Sequence, residues 1–287
     1  GQAGLFAKVK ATEDGLEFAA GGAGAPADAK YIVGLANATL SAEKVKAQLY
    51  NNYDIDDTPA APNAMDDEFD DSSLDGKWTL VNNPGAPNAI SETTFAGMLW
   101  AGLIETANPE YEANFIVAYQ AAPAGTGNAA MTWIAKVAVA NPGDATAGFG
   151  QYAGPGIIIW NPTNHEYVIS CAEIRAASSC MLHAIGYHQG AAANYILTAS
   201  TTSYSLDFPQ ATWLYIKLEK STTAAWTSAN TYNMYASANG IIWSMVGTES
   251  KTFTTAPSRI GIYWRAVAAA AGAAKAEAVV DLFRRTV

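Results

Sequence analysis

The sequence predicts an all-β protein: a two-layer antiparallel β-sandwich on a small extended N-terminal stem that contains one short helix. Three observations point there. Half of the 287 residues are apolar and only 15% are charged, so the surface must rely on Ser, Thr, Asn and Gln, as all-β extracellular or particle proteins do. From residue 77 onward the apolar stretches are short and rich in β-branched and aromatic residues. Turn signals such as Asn141-Pro142-Gly143 and Asn161-Pro162 separate them, a spacing typical of sandwiches.

Charge marks the boundary between the two parts. Residues 1–75 carry 14 acids against 5 bases, whereas residues 76–287 are nearly balanced, within a net charge of −10. No basic stripe is present, so nucleic acid is not an expected partner. No uncharged apolar run approaches the ~18 residues of a membrane-spanning helix, so membrane insertion is not expected either. Lys8, Lys10, Glu13, Asp14 and Glu17 interrupt the first twenty residues, which argues against a signal peptide there.

Residues 1–58 are read as an attachment or oligomerisation stem. They are poor in aromatics, include the small-residue stretch "AAGGAGAPADA" (19–29), and offer one helix, "ATLSAEKVKAQLY" (38–50), with Ser41 as its cap. Such a segment cannot easily build a core alone. Residues 59–65, with Pro59 and Pro62, form a semi-rigid linker.

Residues 66–287 are the sandwich. Its expected strands are "KWTLV" (77–81), "FIVAY" (115–119), "MTWIAKVAVA" (131–140), "GIIIW" (156–160), "EYVISCAEI" (166–174), "CMLHAIGYH" (180–188), "TWLYIKLE" (212–219), "TYNMYASA" (231–238), "IIWSMVG" (241–247) and "RIGIYWRA" (259–266). In "TWLYIKLE", Leu214, Ile216 and Leu218 alternate with Trp213, Tyr215, Lys217 and Glu219, as a half-buried sheet requires. Asn239-Gly240 predicts a two-residue type I′ hairpin. Cys171 and Cys180 lie symmetrically about residues 175–176, so a hairpin folded there sets them opposite one another, as two buried thiols or a cross-strand disulfide.

"DDEFDDSSLDGKWTLV" (66–81) concentrates six acids and one tryptophan. As a helix-loop-helix calcium loop it fails. With Gly76 sixth, Asp71, Ser73 and Asp75 fit, but Asn82 stands where a bidentate Glu belongs. The simpler reading makes Phe69, Leu74 and Trp78 anchors of the first strand, with the acids solvated and guarding an edge. His165, His183 and His188 have no zinc-ligand spacing; neither a metal nor a cofactor is expected, with a single calcium elsewhere in the acidic stretch left open.

The same stretch resembles the opening strand of a concanavalin A-like jelly roll. The far end, "WLYIKLEKSTTAAWTSANTYNMYASANGIIWSMVGTESKTF" (213–253), "SRIGIYW" (258–264) and "AEAVVDLFRR" (276–285), is similar to laminin-G-like jelly rolls of carbohydrate-binding modules. Trp213, Trp243, Gly261, Asp281 and Phe283 carry the match. It implies that the closing segment near Phe283 lies beside the one containing Phe69. "GLFAKVKATEDGLEFAAG" (4–21) and "APADAKYIVGLANATLSAEKV" (25–45) resemble segments of tailed-bacteriophage fibre and appendage proteins. That likeness implies a homotrimer, contact with other virion proteins and a place on the virion.

Glycosidases exist among jelly rolls, and laminarinase-like relatives place Glu-x-Asp-x-x-Glu on one strand. No such triplet occurs here: Glu166 and Glu173 lack its spacing, and Glu105, Glu110 and Glu112 fall in an Asn-Pro loop. A Gly-x-Ser-x-Gly elbow is also missing. The expectation is therefore a non-enzymatic virion structural protein whose lectin-like head adsorbs to host cell-surface glycans. The alternative is a secreted glycoside hydrolase or carbohydrate-binding module. Sugars stack on aromatic rings and pair with amides, so the expected glycan site is Trp160, Asn161, Asn164, His165, Tyr187, His188 and Tyr195, at the ends of adjacent strands.

Overall fold

The computed structural model describes residues 5–9, 16–20, 63–81, 89–95, 97–104, 116–123, 129–141, 152–175, 181–189, 207–209, 213–267 and 275–286. The chain divides into two compact units, Gly1–Asp54 and Ile55–Val287. In the first, β1 (Leu5–Val9) pairs antiparallel with β2 (Leu16–Ala20), Leu5 opposite Ala20. The helix expected at 38–50 and the linker expected at 59–65 lie outside the described residues, except for the linker's last three.

The second unit is an antiparallel sandwich. Its strands are β3 (Thr79–Val81), β4 (Ala89–Phe95), β5 (Met98–Ile104), β6 (Ile116–Ala121), β7 (Met131–Asn141), β8 (Tyr152–Asn161) and β9 (Glu166–Arg175). There follow β10 (Met181–Gln189), β11 (Asp207–Pro209), β12 (Leu214–Lys220), β13 (Asn230–Ser237), β14 (Ser244–Lys251), β15 (Arg259–Val267) and β16 (Lys275–Thr286). Seven make the sheet β11-β10-β9-β8-β15-β6-β3 and seven the sheet β14-β13-β12-β7-β16-β5-β4. Among the described residues there is no helix.

Alternation places the core between the layers. Trp133, Ala135 and Val137 from β7 and Leu214, Ile216 and Leu218 from β12 face Ile157, Ile159, Val168, Ile260, Ile262 and Trp264 of the other sheet. The inward row of β12 ends in Lys220, which is fully buried. Its ammonium donates to the carbonyls of Ala129, Thr222 and Ala224 at 3.2, 2.7 and 2.7 Å, so each of its three donors has an acceptor. Burial lowers its pKa. Gly261 sits where β15 runs tight against β6: a Cβ there would meet the Ala118 carbonyl oxygen at 2.0 Å.

The closure implied by the jelly-roll resemblance is present. Asp67 and Phe283 exchange both main-chain hydrogen bonds at 2.8 Å. The Trp78 ring packs between Phe69 (5.7 Å between centroids) and Phe283 (5.3 Å, edge-on). The acidic stretch does more than stay solvated. Asp70, Asp71 and Asp75 are exposed, but Asp67 Oδ2 accepts from Trp78 Nε1 at 2.6 Å, Asp66 Oδ1 accepts from Arg285 N at 2.7 Å, and Glu68 pairs with Arg284 at 3.0 Å. Two of the six acid side chains, Asp66 and Glu68, therefore fasten the first segment to the last strand, and a third, Asp67, braces Trp78.

Two local expectations are corrected. The β13–β14 connection spans residues 238–243 and is not a two-residue type I′ turn: Gly240 has φ of 73° while Asn239 keeps a negative φ. Asn239 acts through its side chain, Oδ1 accepting from the N–H groups of Ile241 and Ile242 at 3.0 Å each, an alternative that Asx residues offer a turn. In the β9–β10 hairpin Cys171 faces Ile185. The loop centre lies later than residues 175–176, so the directly opposed Cys171–Cys180 pair is not made. Cys171 is buried and its Sγ donates to the Pro155 carbonyl at 3.4 Å; Cys180 lies outside the described residues.

Candidate functional site

The expected glycan residues gather at one end of the first sheet. Gln189, Tyr167, Trp160 and Arg259 follow one another across β10, β9, β8 and β15 in register. Tyr187 and His188 occupy the neighbouring positions of β10, opposite Ile169 and Val168. Tyr195 lies outside the described residues. Trp160 is 3% exposed, and the Arg259 guanidinium sits between its ring (4.7 Å) and that of Tyr119 (4.4 Å).

The amides there hold the turn. Asn161 is buried, donating from Nδ2 to Asn164 Oδ1 and to both the carbonyl and the hydroxyl oxygen of Thr255, at 2.8–3.0 Å. His165 takes φ of 57° at the β8–β9 turn. Beside it, buried Glu166 accepts from Lys251 Nζ at 2.7 Å and from Thr254 N at 2.8 Å, tying the two sheets together. Here Trp160 is covered and Asn161 is spent on holding the turn.

The outer face of the second sheet is different. Strand alternation that sends Leu214, Ile216 and Leu218 into the core sends Tyr215, Lys217 and Glu219 to the other face, where Tyr215 is buried and Lys217 and Glu219 are half-buried. On β13 the inward set is Tyr232, Met234 and Ala236, leaving Asn233, Tyr235 and Ser237 outside. The pairing aligns Lys217 with Tyr235, and Glu219 with Asn233. Thr248 of β14 donates to Asn233 Oδ1 at 2.9 Å. Trp243, from the β13–β14 loop, folds over the same lysine: Lys217 Nζ lies 4.0 Å from the Tyr235 ring centroid and 4.6 Å from that of Trp243.

One strand along, Lys136 of β7 pairs with Asp281 at 2.9 Å and lies 5.3 and 5.6 Å over Trp213 and Tyr215. Burial lowers the Lys217 pKa, with Glu219 opposing that effect. Burial, helped by Glu219, raises that of Tyr235. The result is a ledge of half-buried rings, Trp213, Tyr235 and Trp243, beside an amide, a carboxylate and a hydroxyl. It runs to the open edge of the sheet, where Ile241, Ile242 and Met245 are exposed, Ile242 by 73%. Rings that take C–H faces and neighbouring groups that take hydroxyls are what a sugar chain needs. The sequence signal was the alternation in 213–219, legible as an outward face but not as a site until β13 and the 238–243 loop lay beside it.

A second constellation lies at the other end of that sheet. Glu92 of edge strand β4 is 3% exposed. The Asp71 carboxyl lies beside it. Burial first, then the Asp71 carboxyl and the Asp71 and Asp67 charges, push Glu92 up to about 7; the Ser73 N–H is a weak counterweight. Asp71 is held below its usual value by hydrogen bonds, foremost from Ser73 N at 3.0 Å. Among the described residues no group of three or more His, Cys, Asp and Glu gathers in a form that could hold a metal ion.

No protein-family model matches this chain, and no curated protein matches it. Solved structures do. Residues covering 82% of the chain superpose on 41% of a xylan β-1,4-xylosidase from Bacillus halodurans C-125, at 16% identity and a TM-score of 0.54. A bifunctional GH43-CE protein of Bacteroides eggerthii matches 77% of the chain over 25% of its own length, at 16% identity and 0.52. The chain thus spans a quarter to two fifths of these proteins. The CBM2 module of the evolved Dit of Lactobacillus casei BL23 phage J-1 matches 78% of the chain at 11% identity, but its TM-score of 0.40 is too loose to bear on this one. The fold is a jelly-roll β-sandwich.

These matches correct one expectation. The chain was expected not to be an enzyme because no strand carries Glu-x-Asp-x-x-Glu. Its fold is shared with parts of a xylosidase and of a GH43-CE protein, so that exclusion does not stand. The physical reason is that a motif on one strand detects only carboxyls adjacent in sequence, whereas Asp71 and Glu92 are brought together from two separate elements.

Proposed function

We propose that this chain is the sugar-binding β-sandwich of a carbohydrate-active protein, and that it holds a polysaccharide along the ledge of Trp213, Lys217, Tyr235 and Trp243. The observation that carries this reading is the ledge itself. Aromatic rings stand on an outer sheet face beside Asn233, Glu219 and Thr248 and reach an open, apolar edge. The shared fold with a xylan β-1,4-xylosidase makes xylan the first ligand to try, with laminarin and alginate as chemically different polymers beside it. Affinity electrophoresis of the full chain through gels containing xylan, laminarin or alginate tests it. Retardation that Trp243→Ala and Tyr235→Ala abolish, with the fold retained by circular dichroism, supports the ledge. Unretarded migration in every gel sinks it. Reducing-sugar release in the same panel reports whether the bound polymer is also cleaved.

A second reading places the same head on a virion appendage, where it meets cell-surface glycans. The separation of Gly1–Asp54 as its own unit and the phage-fibre resemblance of residues 4–21 and 25–45 favour it. In that setting the stem assembles a homotrimer and joins other virion proteins, and copy number turns weak sites into avidity. Light scattering that gives a trimer for the full chain and a monomer for residues 66–287 supports this reading; a monomeric full chain removes it.

A further inference from the structure

Of the five lysines whose side chains the structure describes, four end on an acceptor. Lys77 pairs with Asp67 and Asp75, Lys136 with Asp281 and Lys251 with Glu166, while Lys220 donates to three carbonyls. Lys217, in the middle of the ledge, is the exception. Among the described residues its ammonium forms no ion pair and donates no hydrogen bond. Glu219, two positions along on the same face, acts on it through its charge alone. What holds the ammonium is the Tyr235 ring at 4.0 Å and the Trp243 ring at 4.6 Å. Such rings attract a cation, but ring faces give its three N–H donors no oxygen to bond.

Lys217 is half-buried, so its charge still draws on solvent in the free protein. A sugar chain laid on the Trp213, Tyr235 and Trp243 rings removes that solvent. A neutral hydroxyl compensates a desolvated charge poorly, whereas a carboxylate returns an opposite charge and acceptor oxygens together. Lys136, on the neighbouring strand, does not compete for it, because Asp281 already neutralises that lysine at 2.9 Å. We propose that the ledge selects acidic polysaccharides, Lys217 receiving the carboxylate of a uronate unit while Tyr235 and Trp243 take the C–H faces of the sugars beside it. This rests on the ledge being a sugar site and adds the chemical class of the sugar. Glu219 opposes such a carboxylate more weakly than Lys217 attracts it, since it lies two positions further along, opposite Asn233, and the interaction falls with distance.

The test is affinity electrophoresis of the full chain through gels containing alginate or glucuronoxylan, each beside its carboxyl-reduced form, in which every carboxylate has become a neutral hydroxymethyl group. The expected result is that the acidic form binds about tenfold tighter than its reduced form at low ionic strength. High salt should narrow that gap. Lys217→Met, which keeps the aliphatic stem, should make the two forms bind alike, and Lys217→Arg should preserve the preference. Equal binding of the two forms by the wild-type chain overturns the assignment. So does an acidic preference that survives Lys217→Met with the fold retained by circular dichroism. The wild-type comparison needs no variant, so it decides even where Lys217→Met does not fold. Retardation by neutral polymers without an acidic preference leaves the ledge standing and removes only the uronate; no retardation in any gel removes both.

Discussion

Phe283→Ala tests the closure of the sandwich. The ring is fully buried and meets Trp78 edge-on at 5.3 Å. Burying a phenylalanine removes roughly 150 Å² or more from water, which at about 25 cal/mol per Å² is nearly 4 kcal/mol. The lost ring contact adds about 0.5–1.5 kcal/mol. The main-chain bridge from Asp67 to Phe283 survives truncation, so the loss should fall within the range of about 3–5 kcal/mol seen for such changes. For a domain of this size, with about 2–4 °C per kcal/mol, Tm should drop by roughly 10 °C. Urea unfolding of the full chain, followed by tryptophan fluorescence, measures it. Phe69→Ala should cost a comparable amount. The double variant should cost less than the sum, because both rings pack on the same Trp78. A loss under about 1 kcal/mol for Phe283→Ala would show that the last strand does not close the core there.

Three further outcomes are expected. Trp243→Ala should weaken polysaccharide binding about tenfold, about 1.4 kcal/mol, while leaving Tm nearly unchanged, as isothermal titration and melting curves would show. Stability should fall as pH rises from about 4.5 to about 7. Over that window the folded Glu92 keeps a proton that the unfolded chain has released, and below and above it the two states hold equal protons. Glu92→Gln should flatten this dependence and be the more stable protein at pH 8, measured by urea midpoints across pH. Gly261→Ala should destabilise by about 3 kcal/mol or fail to fold, since its methyl would strike the Ala118 carbonyl; expression with melting curves checks this.

The sandwich was legible where one physical rule governed a stretch. In 212–219 the period-two alternation is uninterrupted, and there, as in the β-branched and aromatic stretch 131–140, the strands lie within two residues of expectation at either end. The anchors Phe69, Trp78 and Phe283 were legible too, because large rings flanked by charge leave few other places to go. Strands β4 and β5 went unread. "AISETTF" is polar, and its bulge breaks the alternation over three residues, while "MLWAGLI" follows after a single glycine-centred turn. The Asn239-Gly240 turn was misread because the Asn side chain competed with its own backbone for the turn's donors. The cysteine register failed for a different reason: loop length, not symmetry of spacing, sets which residues face each other.

Site residues were harder, because their meaning depends on neighbours distant in sequence. Trp160 and Asn161 have the composition of a sugar site, but Arg259 and Thr255, nearly a hundred residues later, occupy them. Lys217 and Trp243 both read as strand residues until the structure put Trp243 in the loop before β14, face to face with the lysine. Glu92 was passed over for the same reason. Nothing in "AISETTF" announces that its carboxyl is folded against Asp71.

The stitch between Asp67 and Phe283 has a mechanical consequence. Tension applied at both flanks of the sandwich would load that pair and the Trp78 cluster first, sparing the interior of either sheet. Since the two flanking segments sit side by side, the unit could be spliced into a surface loop of a foreign carrier without prying its layers apart. A reporter carrying it that way should stay bright, and should dim under pulling as soon as that one rivet gives.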